Sequence, residues 1–185
     1  MEERLSPPLE NGTDPGYWST EYVSPVGRLT LACDGERLTG LWIEGQKYFG
    51  GTAPGTMEPG DLPVLAQARE WLDRYFAGEK PGIQELPLAP AGTPFQQVVW
   101  QLLCEIPYGE VVTYGALAQK LSTQLGHQTS GRAVGGAVGR NPISIIVPCH
   151  RVVGADGSLT GYAGGTDRKR WLLEHEGAAL LTKSL

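Results

Sequence analysis

The 185-residue sequence predicts an α/β (α+β) protein in two parts, a sheet-and-helix half followed by a helical half. Three observations predict it. Apolar residues alternate between Tyr17 and Gly45, they recur at three- and four-residue spacing from Asp61 onward, and helix-capping residues punctuate the second half. Glu21-Tyr22-Val23 reads as a strand before a Pro25-Val26-Gly27 turn, and Leu29, Leu31 and Cys33 alternate with Arg28, Thr30 and Ala32. Asp34-Gly35 closes a hairpin onto a return strand from Leu38 to Ile43. Gly50 to Gly60 is a loop by its Gly, Pro and Thr content. Leu65, Ala68, Leu72, Tyr75 and Phe76 share one face of a helix over Asp61 to Ala77, ended by Gly78. Pro81 to Pro90 reads as an extended linker.

The second half opens on Thr93-Pro94-Phe95-Gln96, a Thr N-cap, a Pro at N1 and a Gln at N3, before the apolar stripe Val98, Val99, Leu102 and Leu103. That helix should end before Pro107. Thr113 can cap a second helix carrying Leu117, Ala118 and Leu121, and Ser130 a third through Ala133, Val134, Ala137 and Val138. The pair resembles a helix-turn-helix arrangement. Gly131, Gly135, Gly136 and Gly139 each cost the third helix about 1 kcal/mol relative to Ala. Either another helix packs closely there or a nucleic-acid groove approaches it. Asp167 to Glu176 is a final helix stopped by Gly177. Ile145-Ile146-Val147 is expected to be a buried strand that carries the chain inward to Pro148. The resulting organisation is a mobile arm over residues 1 to 16, an N-terminal α/β domain with its linker over 17 to 92, and a C-terminal domain over 93 to 185.

Composition removes several function classes. No run reaches the roughly eighteen apolar residues of a membrane-spanning helix, and the acidic Met1-Glu2-Glu3-Arg4 start lacks a secretory layout, so a cytoplasmic protein without membrane association is expected. Cys33, Cys104 and Cys149 are odd in number and far apart, which argues against a disulfide framework, and their spacing to His127, His150 and His175 fits no zinc site. No metal or cofactor is expected. The net charge of -5 is uneven: residues 1 to 92 hold seven basic and fourteen acidic side chains, residues 93 to 185 eight and six. A polyanion would meet the second half.

Pro148-Cys149-His150-Arg151 sets a thiol beside an imidazole and a guanidinium. Adjacent cations lower a thiol's pKa, which would make Cys149 a nucleophile; a cysteine among Val and Ile is equally an inert core residue. A hydrolase built on Cys149 and His150 is disfavoured, because neighbours on one strand point oppositely and no oxyanion motif accompanies them.

Six ordered blocks decide between these readings. They are Pro107-Tyr108-Gly109-Glu110-Val111-Val112-Thr113-Tyr114-Gly115, Arg132-Ala133-Val134-Gly135-Gly136-Ala137, Asn141-Pro142, Pro148-Cys149-His150-Arg151-Val152, Gly161-Tyr162-Ala163-Gly164-Gly165 and Trp171-Leu172-Leu173-Glu174-His175-Glu176-Gly177. From Thr93 to about Gly177 the chain resembles the O6-alkylguanine-DNA alkyltransferases, the methylated-DNA:protein-cysteine methyltransferases. The resemblance implies a ribonuclease-H-like N-terminal domain and a winged-helix-like DNA-binding domain. It implies that a monomer binds double-stranded DNA in the minor groove and takes the alkyl group of a flipped O6-alkylguanine, with O4-alkylthymine as a second candidate substrate, irreversibly onto Cys149. His150 would be the base, acting through a water, and Glu176 its orienter; Tyr114 would donate to the guanine ring. Arg132 would fill the gap in the base stack, with Ala133, Gly135 and Gly136 against the groove. Val152 and Cys149 carbonyls would read the guanine amino group, Tyr162, Ala163 and Gly164 would wall the pocket, and Asn141, Pro148 and Arg151 would be structural. Ala163 stands where several relatives carry a serine, and the segment Ser122 to Ser130 looks longer than its counterpart. Relatives with an N-terminal zinc site use paired Cys and His, which this half lacks. The alternative is a non-catalytic lesion binder of the alkyltransferase-like class, whose members lack the acceptor cysteine.

Overall fold

The computed structural model describes residues 16 to 51 and 57 to 178. The arm, except Gly16, the centre of the Gly50 to Gly60 loop and the last seven residues lie outside them. Strands β1 (Trp18–Ser24), β2 (Gly27–Cys33) and β3 (Leu38–Ile43) form an antiparallel meander, and the two-residue β4 (Glu58–Pro59) pairs parallel with β1, giving the order β3-β2-β1-β4. The alternation in β2 has its expected cause: Leu29 and Leu31 are buried while Arg28 is exposed. Helix α1 (Pro63–Phe76) lays Leu65, Ala68, Leu72 and Tyr75 on this sheet, together with Val64 and Trp71. Leu65 and Leu72 each contribute about 1.5–3 kcal/mol by full burial.

The C-terminal half comprises α2 (Pro94–Leu103), β5 (Val112–Thr113), α3 (Tyr114–Leu125), α4 (Gly131–Gly139), β6 (Val152–Val153) and α5 (Thr166–His175). All three predicted caps form. Thr93 Oγ1 accepts from Gln96 N at 3.1 Å while Gln96 Oε1 accepts from Thr93 N, Thr113 Oγ1 accepts from Ala116 N, and Ser130 Oγ accepts from Ala133 N. Each cap stabilises its helix by about 1 kcal/mol. The polar segment after α3 is held by Ser122, whose hydroxyl accepts from Thr129 N at 2.8 Å, so α4 starts at a fixed place. Helices α2, α3 and α4 pack on one another, and β5 pairs parallel with β6.

Two expectations fail for physical reasons. Pro81 to Pro90 is not a plain linker: Ile83–Glu85 forms a 3-10 turn, Arg74 pairs with Glu85, and Leu86 is buried. Pro87 O accepts from Leu38 N and Ala89 N donates to Leu38 O, both at 2.8 Å, so the segment satisfies the open edge of β3. Nor is Ile145 to Val147 a strand. Only Ile143 bridges to Leu41 on that same edge; the chain then coils, with Ile145 at φ 72° and Val147 N donating to Ile143 O at 3.0 Å, into a 3-10 turn over Cys149–Arg151. An apolar run buried on every side has the same composition in a coil as in a strand.

Candidate active site

The coil is organised by Asn141. Its side-chain nitrogen donates to Ile143 O at 3.3 Å and Val147 O at 2.9 Å and lies 3.2 Å from Cys149 Sγ, while its oxygen accepts from Ile143 N. A buried amide thus fixes the turn and touches the thiol. Cys149 is 4% exposed. Burial pushes its pKa above the usual thiol value, against the Asn141 hydrogen bond and the charge of Lys169, so the resting group is a thiol. The lowering of the thiol's pKa by neighbouring cations is outweighed by burial. Arg151 turns away from the sulfur: its Nε donates to Glu176 Oε1 at 2.8 Å, its Nη2 to Glu176 Oε2 at 3.1 Å and its Nη1 to Ile106 O at 2.6 Å.

His150 and Glu176 meet as expected. Nε2 of the fully buried imidazole lies 2.7 Å from Glu176 Oε2. Burial would raise the carboxyl's pKa, but the hydrogen bonds from His150 and Arg151 and the charge of Arg151 outweigh it and hold Glu176 well below the usual range. A carboxylate only accepts, so Nε2 carries the proton and Nδ1 is left as a bare acceptor. Nδ1 has no hydrogen-bond partner among the described residues. Burial also lowers the His150 pKa, which keeps the ring neutral. Glu176 Oε2 accepts a further bond from Tyr75 on α1 at 2.6 Å.

A cleft of about 430 Å³ lies between the glycine face of α4, the loop Gly161 to Ala163, and Lys47 and Tyr48 of the N-terminal half, and Tyr162 stands between it and His150. Tyr162 lines the cleft and sets its ring edge to His150, the ring centroids 6.5 Å apart, while its hydroxyl is buried beside Ser144. Gly164 is required there, because a Cβ would lie 2.8 Å from the Tyr162 ring. Tyr114 Oη donates to Thr160 O at 3.1 Å, and burial pushes its pKa up to about 12, so the phenol keeps its proton. Gly161, at φ +87°, exists for the same contact: a Cβ would come within 2.5 Å of that hydroxyl. Ala163 O accepts from Lys47 N at 3.1 Å and so ties the two halves at the cleft.

On α4, Arg132, Ala133 and Gly136 are exposed and Gly135 half-buried. A Cβ at Gly131 or Gly136 meets nothing within 4 Å, and at Gly135 and Gly139 only ordinary contacts at 3.9 and 3.8 Å. Helix packing therefore does not demand these glycines. Pro148 precedes the 3-10 turn, and Val152 O accepts from Lys169 Nζ at 2.5 Å.

Lys169 and Tyr75 were missed in the sequence. Lys169 is fully buried on α5, bonds Thr160 O as well, and has its pKa lowered by burial to about 8. In sequence it stands among Arg168 and Arg170 and reads as a solvated charge run. Among the described residues no three His, Cys, Asp or Glu side chains gather as metal ligands, and the three cysteines are free.

Two family models match the chain: the ribonuclease-like domain of 6-O-methylguanine DNA methyltransferase over residues 17–90, and the DNA-binding domain of the same family over residues 94–178. The methylated-DNA–protein-cysteine methyltransferase of Haemophilus influenzae is 48% identical over 157 residues, covering 85% of this chain and 84% of the relative. The crystal structure of Mycobacterium tuberculosis O6-methylguanine methyltransferase matches at a TM-score of 0.74 with 45% identity, over 87% of this chain and 93% of that one. A structure of the same organism's OGT in complex with DNA matches at 0.72 with 46% identity, over 87% and 92%.

Proposed function

The chain belongs to the 6-O-methylguanine DNA methyltransferase family, and from that membership we propose that it repairs duplex DNA by moving the alkyl group of an O6-alkylguanine onto Cys149. The observation that carries this reading is the buried pair of a protonated thiol and a neutral imidazole whose Nδ1 is bare while Glu176 holds Nε2. The thiol proton leaves through a water to His150 Nδ1. Sγ attacks the carbon bound to O6, an S–C bond forms, and the C–O6 bond breaks with its electron pair passing to guanine. The Tyr114 phenol protonates the departing base and is restored from the imidazolium, so the products are a thioether and guanine. A thioether does not hydrolyse, and each chain acts once.

The base must leave the duplex to reach a sulfur this deeply buried. Arg132, exposed at the start of α4, takes its place in the stack, with Ala133, Gly135 and Gly136 against the minor groove. The cleft receives the extruded base, walled by Tyr162, Ala163 and Gly164; its lining by Tyr162 and Ala163, with the Tyr162 ring edge against His150, supports this. Val152 O, bonded to Lys169, keeps a second lone pair for the guanine amino group, alongside the carbonyl of Cys149. The same reading divides the chain near Gly92, supported by the two matched spans, and has it act as a monomer. No helix among the described residues is long and apolar enough to cross a membrane.

Incubation with duplex DNA bearing labelled O6-methylguanine tests this reading: one label per chain is expected, on the peptide containing Cys149. Turnover beyond one equivalent sinks it, and binding without label favours the lesion-binder alternative. A second expectation concerns α4. Gly136→Ala should raise the melting temperature, by up to about 1 kcal/mol of stability, because the added Cβ meets open space. Duplex affinity should fall, because the backbone can no longer approach the groove. Equal affinity of the two proteins in fluorescence anisotropy would show that no groove approaches there.

A further inference from the structure

We propose that Tyr75, on helix α1 of the N-terminal half, is a positioning residue for alkyl transfer, its hydroxyl holding the Glu176 carboxylate in the orientation that His150 requires. The inference rests on Cys149 being the acceptor. Tyr75 is 1% exposed and its Oη lies 2.6 Å from Glu176 Oε2, across 101 residues of sequence. That oxygen also faces His150 Nε2 at 2.7 Å and Arg151 Nη2 at 3.1 Å, and Oε1 accepts from Arg151 Nε at 2.8 Å. An ionised carboxylate oxygen offers about two lone pairs, so the three donors on Oε2 occupy both of its sites, and the Arg151 Nε bond anchors Oε1. The carboxylate's rotation about the terminal bond is blocked, and Nε2 of His150 has one fixed direction in which to donate.

The same residue also holds the carboxylate's neighbour. Tyr75 O lies 2.7 Å from His175 Nε2, so the end of α1 grips two consecutive residues at the end of α5. The ring itself is wedged between Trp71 at 5.7 Å, Phe76 at 5.1 Å, Tyr108 at 6.1 Å and His175 at 5.1 Å. Its hydroxyl keeps its proton and so can donate to the carboxylate, because burial, followed by the charge of Glu176, pushes the phenol's pKa far above its ordinary value. The charged and titratable groups around it are Glu176, Arg151, His175 and Tyr108, the last with the Lys80 ammonium 5.3 Å from its ring.

A donor shared on Oε2 draws off negative charge that would otherwise act on His150. Removing it should make the imidazole more basic while loosening its orientation. Tyr75→Phe keeps the ring packing and deletes only the donor. In the full-length protein, single-turnover transfer from O6-methylguanine duplex should slow by roughly tenfold, the loss expected for one hydrogen bond to a charged group. The acid limb of the pH–rate profile should move to higher pH, and duplex affinity should be unchanged. Phe76→Leu, beside it on α1, is the control: it should lower the melting temperature and leave the acid limb where it was. A Tyr75→Phe protein that melts earlier but keeps the wild-type rate and pH profile would overturn the proposal, since the hydroxyl would then serve folding alone. An acid limb that moves equally in Phe76→Leu would also overturn it. Should wild-type protein fail to label Cys149, the acceptor reading itself falls, which is a distinct result.

Discussion

Cys149→Ala is expected to abolish alkyl transfer completely while leaving duplex affinity intact. The sulfur is the atom that forms the new bond, and the chain offers no substitute: Cys33 is fully buried inside β2, and burial raises the Cys104 pKa to about 11. Affinity should persist because the residues proposed to face the groove lie on α4, and the coil around Cys149 is fixed by Asn141 through Ile143 O and Val147 O as well as through the thiol. Removing the sulfur costs about 1 kcal/mol, since the amide keeps two of its three acceptors. A labelled-duplex assay beside a thermal melt checks both halves of the expectation. Residual transfer in the alanine protein would mean another acceptor.

Glu176→Gln should be the most damaging change outside the sulfur. It leaves the buried Arg151 guanidinium without a counter-charge, which typically costs about 3–5 kcal/mol, and it turns one end of the side chain into a donor facing the donors of Arg151, His150 and Tyr75. Transfer should fall by roughly 10²–10⁴-fold, the range attributed to general-base catalysis. The pH dependence has a definite sign. The folded protein holds Glu176 well below the 4.5 of the free carboxyl, so its stabilisation is full above pH 4.5 and is lost as pH falls toward the folded value. His150 acts in the same direction from a higher pH: its folded pKa lies below 6.5, so below that point the unfolded chain binds the proton more readily and stability declines. Urea titrations at neutral and acid pH should therefore show the gap between wild type and Glu176→Gln constant above pH 4.5 and shrinking below it. A gap that widens on acidification would contradict an ionised Glu176.

Local chemistry made the helices readable in the sequence. Thr93, Thr113 and Ser130 cap because a hydroxyl on the residue before a helix has an N–H to accept from whatever the rest of the fold does. The active-site coil was not readable in this way. Ile145-Ile146-Val147 suits a strand, and what bends it is the side chain of Asn141, whose contacts depend on the completed fold. Cys149, His150 and Glu176 became a set in the sequence only through family resemblance. The charges of sequence neighbours were a poor guide to ionisation: the cations beside Cys149 would lower its pKa, whereas Arg151 points at Glu176 and burial keeps the thiol protonated. Tyr75 looked like one more apolar position on α1, since a phenol on a buried stripe shows its hydroxyl's partner only when the partner, 101 residues on, is in place.

The outer edge of β3 has a consequence for how the protein opens. Leu38 bonds to Pro87 and Ala89, and Leu41 bonds to Pro142 and Ser144, at the root of the coil that ends in Cys149. The nucleophile's main chain is thereby stitched into the N-terminal sheet. In the language of native-state fluctuations, the acceptor loop and that sheet belong to one cooperative unit, and the free energy that protects β3 from opening also protects the sulfur's position. The N-terminal half thus sets how long each molecule waits, intact, for the single lesion it can repair.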